Sequence, residues 1–274
     1  VLKAWQGILG LVVGVGIGQL AGAFAAIAGV VVALAFDPPR QLEALVTHPL
    51  VFMPMLATVG AVQTGLALAW PLLAGQRIRR SLGLDRVAPL AVVLAPMGAL
   101  GLGPCSDAVA AAFARAFPAL SLGNLGALGR IADAAPYPIA FVLMALLPGV
   151  SEELLFRGLL QRSIRRPAVA IAVSALLFAL VHVDPPHVVG VLPTGFYLAW
   201  VAARTGSTWP TIAAHVTNNA VAVLASRVEA LAVGHGTGRD VPEWWVSTGL
   251  VVTAVVVVAL SLSYRSIRAS DPVS

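Results

Sequence analysis

The stretch LLPGVSEELLFRGLL, Leu146 to Leu160, sets two adjacent glutamates and an arginine into a run that is otherwise apolar. Its surroundings decide what kind of run it is. On both sides the chain continues in long, unbroken stretches of Ala, Leu, Val and Gly, without the alternation that a half-buried sheet requires. Of 274 residues 59% are hydrophobic and 11% charged, with a mean hydropathy of +0.91, where globular domains carry roughly a quarter charged residues. The fold this predicts is all-α, a polytopic transmembrane helical bundle with about eight spans, at 7–36, 49–75, 87–104, 136–156, 168–183, 187–204, 208–231 and 244–264. They form one integral membrane domain over 1–274, with the polar motifs gathered in a core at 136–231.

The net charge of +5 would suggest nucleic acid in a soluble protein, but here the arginines occupy short loops between apolar runs, so the bilayer is the expected partner and nucleic acid is not. Twelve Lys and Arg fall in segments on the side of the N-terminus and four (Arg40, Arg115, Arg130, Arg239) on the other, leaving Arg227 inside a span. That bias places both termini in the cytoplasm. Compact loops and an Ala/Val/Arg-rich composition suit a bacterial inner membrane. The first apolar run reads as a span rather than a removable signal peptide, because no small-residue cleavage site follows a short core. Gly10, Gly14, Gly18 and Gly22 line one face of that span, for a neighbouring helix of the same chain or for a second copy. The lone Cys105 excludes an intrachain disulfide and falls in a loop; the interrupted segment from Cys105 to Ala135 reads as an interfacial helix.

Few polar residues lie deep in apolar runs, and each ionisable one costs on the order of 2.5–3.5 kcal/mol at the bilayer centre. Consecutive helical residues point about 100° apart, so Glu152 and Glu153 serve different contacts. Glu153 and Arg157, four apart with the acid first, are spaced to pair. Glu152 is left without a local partner, the setting of a general base, although both acids could equally belong to a structural polar network. Phe178 and His182 share a face of the fifth span, and a turn near Pro167 would bring His182 to the depth of Glu152. In HVTNN, His215 and Asn219 stack on one face, able to donate to a developing oxyanion or to act as interhelical glue, while Asn218 points away. A base, a second imidazole and an oxyanion clamp together fit attack of water on an acyl carbon, in a cavity expected to open toward the basic segment Arg157–Arg166. Ser151 has no histidine in helical reach, and HExxH is absent. Transport and non-catalytic partner binding are the other classes such a polar set could serve.

EELLFR (Glu152, Glu153, Arg157), FALVH (Phe178, His182) and HVTNN (His215, Asn219), in that order on separate apolar segments, resemble the three motifs of the CAAX-processing and bacteriocin-processing intramembrane proteases. The run RTGSTWPTIAAHVTNN, Arg204 to Asn219, strengthens the likeness. The resemblance implies that Glu152, assisted by His182, activates water; that His215 and Asn219 form the oxyanion site; and that Glu153, Arg157 and Phe178 support the cavity. It implies a membrane-associated protein or peptide as substrate. A glutamate-dependent mechanism without cofactor is the favoured expectation, with zinc on Glu152, His182 and His215 the alternative.

Overall fold

The computed structural model describes residues 2–39, 42–228 and 241–270, and these form helices joined by short turns, with no strand. Six helices are long and apolar enough to cross a bilayer: α1 (Ala4–Phe36), α2 (Pro49–Leu73), α4 (Pro89–Ala116), α6 (Tyr137–Gln161), α8 (Pro185–Thr205) and α10, whose crossing part is Glu243–Tyr264. Between them lie α3 (Ile78–Leu82), α5 (Asn124–Ala134), α7 (Pro167–Leu180) and α9 (Trp209–Ala225). Among the described residues the count of about eight spans is therefore not confirmed. The fifth expected span is a helix of 14 residues and the seventh one of 17; the first is about 21 Å long against roughly 30 Å of hydrocarbon. The end of the seventh, 229–231, lies outside the described residues, as do Arg40 and Arg239.

The segment 105–135 also departs from expectation. Instead of one interfacial helix, α4 runs on through Pro104 and Cys105 to Ala116, because Ala108–Ala116 is a strong helix former and the first stop signal is Pro118. Cys105 is thus in a helix, not a loop, and α5 is a separate short helix.

Close helix packing explains the glycines of α1. A Cβ on Gly10, Gly14, Gly18 or Gly22 would meet Trp70, Leu155, Gln63 or Val59, so this face is filled by the chain's own α2 and α6. The opposite face exposes Leu20, Phe24 and Val31. On the far side of the bundle Gly101 of α4 and Gly249 of α10 cross backbone to backbone.

The run that extends HVTNN toward the N-terminus holds one end of the bundle together. Gly206, in the left-handed region at φ 67°, ends α8. Ser207 Oγ donates to the Gly83 carbonyl (3.2 Å), Thr208 Oγ to Leu82 (2.6 Å), the Thr208 amide to Gly83 (2.9 Å) and the Trp209 indole to Leu84 (3.1 Å). Arg162 Nη1 reaches the Gly206 carbonyl at 2.8 Å, and Arg204 caps the Ser261 carbonyl. RTGSTW is therefore a knot of backbone caps that fixes where α9, and hence His215, begins.

Candidate active site

Helix α6 carries the two glutamates and is not a regular α-helix. Tyr137–Ala140 and Leu147–Glu153 are α-helical, but Phe141–Leu146 and Leu154–Gln161 are wound wider, as π-helix. Pro148 lies just after the first wide stretch; it has no amide to give the carbonyl four residues back and its ring crowds that carbonyl, a cause of locally altered winding. Wide turns of this kind recur at functional sites. Gly149 lets α6 touch α9: a Cβ there would lie 2.6 Å from Val216 Cγ2 and 3.0 Å from the Val216 amide nitrogen. Because of that crossing the glutamates of α6 face His215 of α9.

Glu153 and Arg157 are both fully buried and paired at 2.8 Å. Arg157 also donates to the Gly195 carbonyl (3.1 Å) and lays its guanidinium 4.2 Å from the centroid of the Phe178 ring. One turn on, Gln161 donates to the Ala199 carbonyl (2.7 Å). The Glu153 oxygen that accepts from Arg157 also accepts from His215 Nδ1 at 3.0 Å. A chain of charge-assisted bonds, Arg157 to Glu153 to His215, thereby fixes the imidazole. Its other nitrogen, Nε2, faces Glu152 Oε2 across 4.0 Å. That Glu152 oxygen is buried and has no hydrogen-bond partner among the described residues.

Phe178 is the hub around which the other motif residues turn, with ring centroids 5.1 Å from His182 and 5.5 Å from His215. His182 lies one residue past the end cap of the short α7, its Nδ1 2.9 Å from the Phe178 carbonyl. Irregular backbone at membrane depth is tolerated where it borders a polar cavity, and this turn does so. Val183, next in sequence, is held at φ 64°, and Asp184, buried, accepts from the Leu122 amide at 2.9 Å before Pro185 starts α8. No hydrogen bond or ion pair joins His182 to Glu152 among the described residues; the imidazole brought to Glu152 is His215. Asn219 donates its amide to the Met144 carbonyl at 3.3 Å.

These groups border a cavity of about 980 Å³, lined by Glu152, Phe178, His182, His215 and Asn219. Glu153 and Arg157 sit behind its wall. Spacing along the helix sends Asn218 away from His215, yet it too reaches the cavity, since the space wraps around α9. Gln63, which accepts from Ser151 Oγ at 3.3 Å, and His187, with its ring centroid 4.5 Å from that of His182, also face it. Neither drew notice in the sequence. Gln63 is a lone amide in α2, while His187 follows two prolines at a helix start. The cavity reaches toward α5 and the last turn of α9, lined there by Arg130, Asp133 and Arg227, and not toward Arg157–Arg166 as expected. The basic end is closed because every residue of Leu154–Gln161 is buried. Arg227, the arginine left inside a span, caps the Ala132 and Ala135 carbonyls and so ties α9 to α5.

Among the described residues no three His, Cys, Asp or Glu side chains are grouped to hold a metal ion. In the set considered for zinc, His215 Nδ1 is bound to Glu153 and His182 Nδ1 sits on a backbone carbonyl. Both Nδ1 bonds leave Nε2 as the nitrogen that would face an ion, since a metal-bound histidine commonly holds its other ring nitrogen on a carboxylate or carbonyl.

Compared with known proteins, residues 134–221, about a third of the chain, match the family described as Type II CAAX prenyl endopeptidase Rce1-like. No curated protein and no solved structure gives a significant match. The matched residues run from just before α6 into α9 and include Glu152, Glu153, Arg157, Phe178, His182, His215 and Asn219. Over the stretch that builds the acid–imidazole site, the chain is similar to the family of Type II CAAX prenyl endopeptidases described as Rce1-like.

Proposed function

We propose that the protein is an intramembrane endopeptidase in which Glu152 acts as general base on a water molecule held between Glu152 Oε2 and His215 Nε2. The observation that carries this reading is the 4.0 Å gap between those two atoms, at a buried carboxylate oxygen with no hydrogen-bond partner among the described residues, on the wall of a cavity within the bundle. A water there can bond to both atoms and point its oxygen into the cavity. As that oxygen attacks a substrate carbonyl, Glu152 takes the proton, and the carbonyl oxygen becomes the oxyanion. The Asn219 hydrogen not spent on Met144 donates to it. The proton then passes to the leaving amine as the C–N bond breaks, with His182 Nε2, free of the backbone bond at Nδ1, as the second acceptor on that wall. The Arg157–Glu153 pair keeps His215 in one orientation throughout. The substrate is a membrane-associated protein or its C-terminal tail, and the cavity admits it from the end that carries α5.

The test uses wild type and Glu152→Gln in lipid nanodiscs, with and without chelator, against lipidated and unlipidated tail peptides, reading new termini by mass spectrometry. The amide keeps the shape but cannot take the proton, so turnover should vanish while folding is kept. Full activity in Glu152→Gln would remove Glu152 from the base role. Loss of wild-type cleavage with chelator would replace this mechanism by a metal-dependent one.

A further inference from the structure

The basic end of the bundle carries a recess that the cleavage chemistry does not use. After α2 the chain turns at Gly75, φ 67°, into α3, whose residues IRRSL sort by face. Ile78 packs against the core and Leu82 is fully buried, so Arg79 and Arg80 between them are left outside. The scaffold is pinned: the Leu82 and Gly83 carbonyls accept from Thr208 and Ser207, and Arg162 Nη2 donates to the Arg80 carbonyl at 3.3 Å. Arg77, Arg79 and Arg80 border a space of about 610 Å³ together with Gly75, Gln76 and Asp85. Asp85 is the one carboxylate lining it, 3.8 Å from Arg79 with both side chains exposed, which makes a weak pair. Among the described residues Arg77 and Arg80 have no ion pair. Three indoles mark the depth of the recess. Trp5 is exposed at the start of α1, Trp70 donates to the Gln6 carbonyl at 2.8 Å, and Trp209 donates to the carbonyl of Leu84, the neighbour of Asp85. Such indoles settle at the level of the lipid headgroups. Just before the recess, Leu72 and Leu73 are 60% and 79% exposed. We propose that the recess binds the phosphate of an anionic phospholipid, with the guanidiniums on the headgroup and the acyl chains along Leu72 and Leu73. A free phosphate would match the charge but leave the leucines uncovered, so the lipid is the better fit.

This site goes beyond the hydrolytic reading and does not depend on it, and its test needs no cleavage. The full chain in dodecyl maltoside micelles is mixed with equal amounts of dioleoyl phosphatidylglycerol and dioleoyl phosphatidylcholine, and the lipid retained is counted by native mass spectrometry. Wild type should retain phosphatidylglycerol over phosphatidylcholine by about tenfold, since each arginine near an anionic headgroup adds to the attraction. Arg77→Gln/Arg79→Gln/Arg80→Gln should lose most of that preference. Arg165→Gln/Arg166→Gln, which removes exposed arginines outside the recess, should keep it. Asp85→Asn removes the competing carboxylate and should raise retention about twofold; as a single exposed substitution it decides the matter even if the triple variant fails to fold. Equal retention of the two lipids by wild type, equal loss in both arginine variants, or no gain in Asp85→Asn would each overturn the proposal. A large excess of inorganic phosphate should leave the lipid bound, and its full displacement would assign the recess to the free anion instead.

Discussion

Removing Arg157 is the sharpest perturbation of the site's foundation. Arg157→Ala leaves Glu153 buried at 0% exposure without its countercharge, though still bonded to His215. Deleting one member of a buried pair costs about 3–5 kcal/mol, since the partner charge has lost its compensation. The bond to Gly195 and the contact with Phe178 disappear in the same step, so the upper half of that range applies. At 1.4 kcal/mol per decade this is roughly three to three and a half decades in the folding equilibrium. The control is Glu153→Gln with Arg157→Met, which removes both charges and keeps most of the volume. It should recover most of the lost stability, because replacing a buried pair with neutral groups of similar size is often neutral or favourable. It should not recover cleavage, since His215 then lacks the carboxylate that fixes it. Denaturant unfolding in detergent gives the stabilities and a peptide assay gives the turnover. The reasoning fails if Arg157→Ala lies within about 1 kcal/mol of wild type, or if the double variant is no more stable than the single one.

Gly149→Ala puts a methyl 3.0 Å from the Val216 backbone and must part α6 from α9; displacements near 1 Å cost about 100-fold in rate, so kcat should fall by that order while the protein stays folded. Equal activity would mean that the crossing does not set the distance from Glu153 to His215. Gly29→Ala, whose Cβ would lie 2.2 Å from the Leu50 carbonyl oxygen, should destabilise by about 1–3 kcal/mol, whereas Gly16→Ala, facing open space, should not destabilise, which a melting comparison of the two checks. Val183 holds a left-handed φ of 64° with its side chain mostly exposed, so Val183→Gly should raise stability by about 1 kcal/mol; a fall in melting temperature would argue against strain there.

What was legible in the sequence follows from how far each interaction reaches along the chain. Ionisable residues in apolar helices stand out at once, so Glu152, Glu153, Arg157, His182 and His215 could be named, and i, i+4 spacing was enough to pair Glu153 with Arg157. The partner of His215 was out of reach, since Glu153 lies 62 positions away and is chosen by a helix crossing at Gly149. The direction of the cavity was misjudged for a related reason. Proximity to basic residues along the chain says little about which end of a helix is plugged, and here the plug is the buried stretch Leu154–Gln161. Helix lengths failed where polarity was taken as interruption: Asp107 and Arg115 suggested that the third span ends early, yet Asp107 borders the cavity and α4 continues past it. The membrane class and the family stretch were readable because composition and ordered motifs are one-dimensional properties.

Arg157 and Gln161 dock onto the carbonyls of Gly195 and Ala199, one helical turn apart on each side, like a two-pin plug in its socket. A slide of α8 along α6 by a single residue would pull out both pins and strand two buried polar heads at once, so these two helices share one register or none.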